Sequence, residues 1–270
     1  VKYTFGSKAL DELAGGLETG ILTMLYGETS TAKTTLGAYQ PTVSIAKVYE
    51  LEKSDRFIIV DCDGGFDKER VKQIWKANKL DEKDMVAHLE YFQPTDFAEQ
   101  HKLITEMEKK VKDGKWSPKL IVCDSMTSIY RGIVLRTDQK YKASTSGIYT
   151  GKLDLQLSVM RSIAVNHDCP AIITTWPVSP ISAAMGTIPE QDFIGGRAYG
   201  FLPKCILKVE MVADPSPVLR KVVLKKHRSK RPGDSCLIEI CDAGIKDVKK
   251  KDPTSSDIWG EAKQQEGVKK

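Results

Sequence analysis

The stretch YGETSTAKTT, Tyr26 to Thr35, carries the first chemical signal in this chain. Within it Gly27-Glu28-Thr29-Ser30-Thr31-Ala32-Lys33-Thr34 has the spacing of a phosphate-binding loop, G-x-x-x-x-G-K-[ST], with Ala32 standing where the second glycine belongs. An apolar run, ILTMLYG from Ile21, leads into the loop, and the residues after Lys33 can begin a helix. Backbone N–H groups and a helix N-terminus would then converge on phosphates. In that arrangement Lys33 neutralises the outer phosphates, the Thr34 hydroxyl ligates Mg²⁺, and Thr35 supports the first helical turn. Asp124, which closes LIVCD, stands where the second Mg²⁺-side carboxylate of such a site belongs. A nucleoside triphosphate and Mg²⁺ are therefore the expected ligands. Ala32 brings a methyl group to a place where backbone and phosphate approach closely. If φ there is negative, as the start of a helix requires, alanine is tolerated, and only a positive φ would make it costly; the site is expected to survive the substitution.

These residues need a scaffold, and the hydrophobic pattern supplies one. FIIVDCD from Phe57, LIVCDS from Leu120 and AIITT from Ala171 are short, unbroken apolar runs of the kind buried on both faces of a parallel sheet. Between them, Val71, Ile74 and Trp75, then Leu103, Ile104, Met107 and Val111, then Leu153, Leu157, Met160 and Ala164 recur at helical spacing. Strand and helix alternating in this way predict an α/β fold of right-handed βαβ units with helices on both faces. After Gly200 the pattern becomes strands and turns, KCILKVEMV, RKVVLKKH and SCLIEI, with Asp214-Pro215 and Pro232-Gly233 as breakers. This predicts an antiparallel C-terminal extension of the same sheet. One core domain over 1–246 and a basic, disordered tail over 247–270 follow. Two polar segments, 132–147 and 179–200, read as long loops, which in compact domains are usually functional.

With 270 residues, 41% hydrophobic and 29% charged, the chain can bury a sizeable core. No apolar run is long enough to span a membrane, and the start, VKYTFGSKALDEL, lacks a signal-peptide layout. The 6 cysteines are scattered without zinc spacing, and Cys236 and Cys241, the closest pair, are not expected to form a disulfide or metal site. The net charge of +5 is concentrated in Lys225, Lys226, His227, Arg228, Lys230 and Arg231 and in the tail, a distribution that suits a polyanionic partner.

GSKALDELAGGLETGILTMLYG, the altered phosphate loop, IIVDCDGGFDKERV, LIVCDSMTSIYR, FIGGRAYG and VLKKHRSKRPGDSCLIEICDAGI, in this order, resemble the ATPase core of the RecA-type recombinases. They are most similar there to the archaeal RadB group, short paralogues of RadA that lack its N-terminal domain. The resemblance spans about Phe5 to Ile245. It implies a RecA-like P-loop ATPase core, a central mostly parallel twisted sheet. Lys33, Thr34 and Asp124 match the phosphate lysine, the Mg²⁺ hydroxyl and the Mg²⁺-side aspartate, and Arg70 matches an arginine that lies against adenine. Two departures stand out. Asp63 occupies the place of the glutamate that positions the attacking water, and Trp176-Pro177 replaces the family's Asn-Gln, whose glutamine senses the γ-phosphate. Hydrolysis and the coupling of ATP to DNA are both expected to be weakened.

By the same resemblance the two long segments face DNA. Arg131, Arg136, Lys140 and Lys142 lie in or beside the first, and Arg197 borders the second. With the KKHRSKR run they would neutralise phosphates without reading bases, and Tyr141 and Tyr149 are candidates for stacking. The expected function is that of a RadB-like accessory recombination protein, binding ATP, Mg²⁺ and single- or double-stranded DNA with weak or absent hydrolysis. Two alternatives stay open: an active DNA-dependent strand-exchange ATPase, and a KaiC-like ATP switch that binds no DNA. The resemblance further implies a RadA-type recombinase and a Holliday-junction resolvase as partners, and a cytoplasmic, nucleoid-associated location. Only Tyr3 and Phe5 are available as aromatic residues ahead of the core for filament contacts, so a monomer or small homo-oligomer is expected.

Overall fold

A computed structural model describes residues 1–178, 192–212 and 217–248 of the chain. Its main sheet contains β3 (Leu22–Tyr26), β4 (Asp55–Asp61), β5 (Leu89–Phe92), β6 (Ser117–Asp124), β7 (Ala171–Thr175), β8 (Cys205–Met211), β9 (Leu219–His227), β10 (Ser235–Cys241) and β11 (Gly244–Asp247). The strand order is β11-β10-β9-β8-β3-β7-β6-β4-β5. From β8 to β5 every neighbour is parallel, whereas β8 to β11 are joined antiparallel. The expected parallel sheet with an antiparallel C-terminal extension is thus present. A small separate pair, β1 (Lys2–Tyr3) and β2 (Leu17–Glu18), precedes it.

Two cores explain why the central strands read as unbroken apolar runs. Successive side chains on a strand point to opposite faces, so a strand covered on both sides needs apolar residues at every position. Phe57 and Ile59 of β4, Leu120 and Val122 of β6, and Leu25 of β3 enter one core with α1 (Lys8–Ala14), α2 (Gln40–Ala46) and α3 (Lys68–Ala77). Their neighbours Ile58, Val60, Ile121, Cys123, Met24 and Tyr26 enter the other, beneath α5 (Phe97–Lys112) and α7 (Lys142–Asn166). Leu25 and Ile59 are fully buried, so truncating either to alanine is expected to cost about 2–5 kcal/mol.

The sequence missed several elements. β5 at the sheet edge and α4 (Glu82–His88) are short and mixed in polarity. The segment 132–147 is not a loop. It contains most of α6 (Ser128–Arg136), a 3₁₀ turn at Gln139–Tyr141 and the first turns of the 25-residue α7. The physical reason lies further along the chain. Leu153, Leu157, Met160, Ile163 and Ala164 anchor the second half of α7 in the core, and extending an existing helix costs far less than starting one. Helix α6 buries no residue of its own, but the hydroxyls of Tyr130 and Ser146 join it to α7 at 2.7 Å.

At the other end of the chain, Asp247, placed in the tail by composition, closes β11 and caps α1. Its carboxylate accepts from Ser7 Oγ (2.6 Å) and from the N–H groups of Lys8 (3.1 Å) and Ala9 (2.9 Å). The rest of the tail, 249–270, most of the second long segment, 179–191, and the Asp214-Pro215 breaker lie outside the described residues. No helix among the described residues is long and apolar enough to cross a membrane.

Candidate nucleotide site and nucleic-acid surface

β3 lies inside the sheet, between β7 and β8, and the phosphate loop springs from its C-terminal end. Gly27 must be glycine, since a Cβ there would sit 2.2 Å from the carbonyl oxygen of Val209 on β8. Beyond it the loop closes on itself, with Thr31 Oγ1 donating to the carbonyl of Glu28 at 2.9 Å. Ser30 and Ala32 both have positive φ, 62° and 72°. Ala32 therefore has the positive φ at which alanine is costly, not the negative one that a helix start requires. Helical hydrogen bonding begins with Leu36 N–H donating to the Ala32 carbonyl (3.0 Å), so Ala32 belongs to the loop's concave turn and not to the helix. That left-handed conformation is what a glycine supplies without strain. Thr35–Tyr39 then winds as one π-helical turn into α2.

Lys33 is 9% exposed, and its Nζ donates to the carbonyls of Gly27 (2.9 Å) and Glu28 (2.7 Å). Burial lowers its pKa, against the raising effect of Asp124, Asp63 and Glu28. Thr34 Oγ1 donates to Asp124 Oδ2 at 2.5 Å, and Thr174 donates to the other carboxylate oxygen. Burial raises the Asp124 pKa, while these two hydrogen bonds oppose the shift. Together the loop residues Thr29 to Thr34 and the facing wall of Asp63, Gly65, Asp124 and Trp176 line a cleft of about 450 Å³. A larger cleft of about 580 Å³, lined by Gln40, Lys47 and Ile245 among others, lies apart from the loop.

A hydroxyl and a carboxylate meeting beside a lysine form a hard-oxygen donor pair that fits Mg²⁺. Among the described residues no group of three or more His, Cys, Asp and Glu gathers to hold a metal. The remaining ligands of such a cation would be phosphate and water oxygens.

Asp63 stands on this wall because Asp61, at the end of β4, organises the Asp-Cys-Asp-Gly-Gly-Phe turn. One Asp61 oxygen accepts from the N–H groups of Gly64 (2.9 Å) and Gly65 (3.2 Å), and the other accepts from Phe66 N–H (3.0 Å) and the Tyr91 hydroxyl (3.0 Å). Partial withdrawal from water, then the charges of Asp124 and Asp61, push the Asp63 carboxyl up to about 6. A carboxylate titrating there can take a proton near neutral pH.

Arg70 is not brought to this cleft. Its guanidinium donates to the Cys241 carbonyl (2.6 Å) and to Gln73 Oε1 (2.7 Å), tying α3 to the end of β10. Trp176 comes closer than its sequence position promised. Lys33 Nζ lies 5.2 Å from its ring centroid and the Arg131 guanidinium 5.5 Å, while its Nε1 donates to Ser128 Oγ at 3.1 Å. After it, Ile194 N–H donates to the Trp176 carbonyl (2.8 Å) and Val178 N–H to that of Asp192 (3.0 Å), pinning the two ends of segment 179–191 together.

The structure divides the candidate DNA residues. Arg131 sits at the nucleotide end of the sheet on α6. Arg136 lines a neighbouring cleft of about 340 Å³ with Cys62 and Phe97. Lys140 lies over the ring of exposed Tyr141, 4.7 Å from its centroid, and Lys142 opens α7. Tyr149 is half-buried and packs edge-on against Phe97 (4.8 Å between centroids). Arg197 opens α8 (Arg197–Phe201).

Lys226 and His227 instead pair with Ile206 and Cys205, the first residues of β8, at the opposite end of the sheet. Several cations of this hairpin are occupied internally. Lys225 pairs with Asp192 (2.6 Å), Lys226 donates to the Gly200 carbonyl (2.7 Å), Arg228 pairs with Glu18, and Lys230 donates to the Glu12 carbonyl (2.8 Å). Burial lowers the His227 pKa, as do Lys2, Lys230 and Arg228 nearby. The run is thus a structural seam between the hairpin, α1 and α8 as well as a basic surface.

The Rad51 family pattern matches residues 1–248. This chain belongs to the Rad51 family. The DNA repair and recombination protein RadB of Thermococcus kodakarensis is 32% identical over 244 residues, 90% of this chain and 98% of that protein. RadB of Thermococcus sibiricus is 34% identical over 248 residues, 92% and 96% of the two chains. A solved structure described as the crystal structure of the RadB recombinase matches with a TM-score of 0.69 at 28% identity, covering 91% of this chain and 99% of that one. The resemblance to RecA-type recombinases and to RadB therefore holds over the whole described core, and the fold is RecA-like.

Within this Rad51-family site, sequence reasoning overlooked Asp61 and Tyr91. The signal for Asp61 was its place before Gly64-Gly65, because a carboxylate ahead of a glycine turn collects backbone N–H groups. Tyr91 carried no such signal, since it reaches Asp61 only from the neighbouring strand β5.

Proposed function

We propose that this chain is a RadB-like DNA repair and recombination protein that binds ATP with Mg²⁺ and binds DNA through its phosphates. In this reading it breaks ATP slowly and acts on a RadA-type recombinase. The supporting observation is the convergence of Lys33, Thr34, Asp124 and Asp63 on one cleft at the C-terminal ends of the parallel strands. Bound Mg²⁺ would polarise the phosphates for attack by water. The chain's own residues do the rest: Thr34 and Asp124 offer the cation oxygen ligands, Lys33 leaves the Gly27 and Glu28 carbonyls to meet phosphate, and Asp63 holds the proton acceptor.

Slow turnover follows from the length of Asp63. Its side chain is one methylene shorter than the family's glutamate, which withdraws the carboxylate by about 1 Å, and a misplacement of that size costs ~100-fold in rate. Nucleotide then works chiefly as a conformational ligand, shifting the protein toward whichever state holds it more tightly. Phe5, 1% exposed in the chain's own core, is not free to dock on another copy, which supports a monomer or small oligomer. A Holliday-junction resolvase partner and nucleoid association belong to the same reading.

Steady-state hydrolysis of wild type, Asp63→Glu and Lys33→Ala, each with and without DNA, tests it. A rise of about tenfold or more in Asp63→Glu, with loss of nucleotide binding in Lys33→Ala, is the expected result. Wild-type turnover as fast as that of a DNA-stimulated recombinase would overturn slow hydrolysis. Absence of salt-sensitive DNA binding would favour a nucleotide switch that acts on protein alone.

A further inference from the structure

Trp176 touches two cations that the family resemblance assigns to two different ligands. Lys33 Nζ, needed for the phosphates of a nucleotide, lies 5.2 Å from the indole centroid, and the guanidinium of Arg131, a candidate for DNA phosphates, lies 5.5 Å from it. The ring is not loose. Its Nε1 donates to Ser128 Oγ on α6 at 3.1 Å, and the preceding residue joins the base of α6 through Thr175 Oγ1 and Thr127 Oγ1, 2.6 Å apart. Trp176 thus stands between the phosphate loop and α6, bonded to the helix and lining the cleft.

We propose that Trp176 is a positioning residue that couples the nucleotide site to α6, with opposed occupancy: nucleotide binding tightens the hold on Arg131 and so weakens DNA binding. This inference rests on the reading above that both ligands bind. A cation over an aromatic face is attracted by the ring's quadrupole, and tryptophan is the best such partner. Two cations on one ring also repel one another. When Lys33 turns to phosphate, that repulsion falls and the ring is left to Arg131. The added negative charge in the cleft pulls Arg131 in the same direction. A DNA phosphate must then compete for an arginine that is held more firmly. The device stands at the residues that replace the family's Asn-Gln, where a proline at 177 has removed any side-chain amide.

Coupling between two sites is typically worth a factor of about 5–150 and acts equally in both directions. Mg²⁺-ATP is therefore expected to raise the DNA dissociation constant of the wild type at least about fivefold, and DNA to weaken ATP by the same factor. Three variants apportion the effect: Trp176→Leu removes the ring, Arg131→Ala removes one cation, and Ser128→Ala loosens the tether but keeps both. The factor is expected to fall below about twofold in the first two and to persist in part in the third. Because the readout is a ratio, a variant that merely weakens both ligands leaves it unchanged. Tryptophan emission supplies an independent signal. Trp259 lies outside the described residues and is replaced by phenylalanine for this measurement; Trp75 and Trp116 are buried, at 1% and 5% exposure, so an ATP-induced spectral change should then vanish on adding Trp176→Phe and should be present without ATP on adding Lys33→Ala.

Calorimetry of ATP and DNA binding separates the possible failures. If the wild type binds neither ligand, the functional reading falls and takes the relay with it. If it binds both, and Trp176→Leu retains the full factor or ATP strengthens DNA binding, the relay alone is overturned.

Discussion

Replacing Ala32 with glycine tests the phosphate loop directly, because the expected sign depends on one dihedral angle. At an ordinary helix start, alanine to glycine destabilises a protein, since glycine gains freedom in the unfolded chain worth about 0.4–1 kcal/mol. Here Ala32 is held at φ 72°, where an L-residue with a Cβ is strained by roughly 1–2 kcal/mol relative to glycine. The two terms leave Ala32→Gly more stable by about 0.5–1 kcal/mol. For a chain of this size that corresponds to a rise of about 1–4 °C in the unfolding midpoint. Scanning calorimetry, or urea unfolding with unchanged slope, reads it. Ala32→Val serves as the opposite control, because a β-branched residue at positive φ is an outlier and should lower the midpoint. A lowered midpoint in Ala32→Gly would refute the reasoning and return Ala32 to the helical conformation expected from sequence.

Three further outcomes can be checked. Asp63 is an acid whose folded pKa, about 6, lies above its unfolded value, so the folded state keeps the proton longer and stability falls as pH rises from about 4 to about 6. Asp63→Asn should match the wild-type midpoint below about pH 4 and exceed it above about pH 6. A difference independent of pH would contradict the assignment. Asp247 has the opposite sign: hydrogen bonds from Ser7, Ala9 and Lys8 hold its carboxyl below the usual range. Asp247→Ala should cost about 1 kcal/mol near neutral pH, an amount limited by solvent screening, and less as acid protonates the wild-type group through its folded pKa. Arg70→Ala should lower stability by about 1–2 kcal/mol through the lost bonds to β10, with little change in ATP affinity measured by calorimetry; a large affinity loss would restore the adenine contact.

Much of the fold was legible because burial on two faces imposes a simple pattern. Unbroken apolar runs such as Phe57 to Val60 and Leu120 to Cys123 announced interior strands, and the polar end of the second, Asp124, marked where chemistry gathers. α6 and the first half of α7 were not legible, because α6 meets the core through half-buried Ile129, Tyr130 and Ile133 and the start of α7 is carried by the buried residues of its second half. β5 and Tyr91 were missed for a similar reason, since neither has a local periodic signal.

The sequence alone determined the loop spacing, the identity of its lysine and hydroxyl, and the shortened acid at position 63, because these are facts about residue type and distance along the chain. The tertiary structure decided how those residues meet. It turned Ala32 to positive φ in a loop that begins packed against the Val209 carbonyl of β8, and it committed Arg70 and much of the basic hairpin to carbonyls and carboxylates elsewhere in the fold. It also set Trp176 against both Lys33 and Arg131. Which group a long cationic side chain reaches is fixed by the elements that fold around it, and no spacing in the chain encodes that choice.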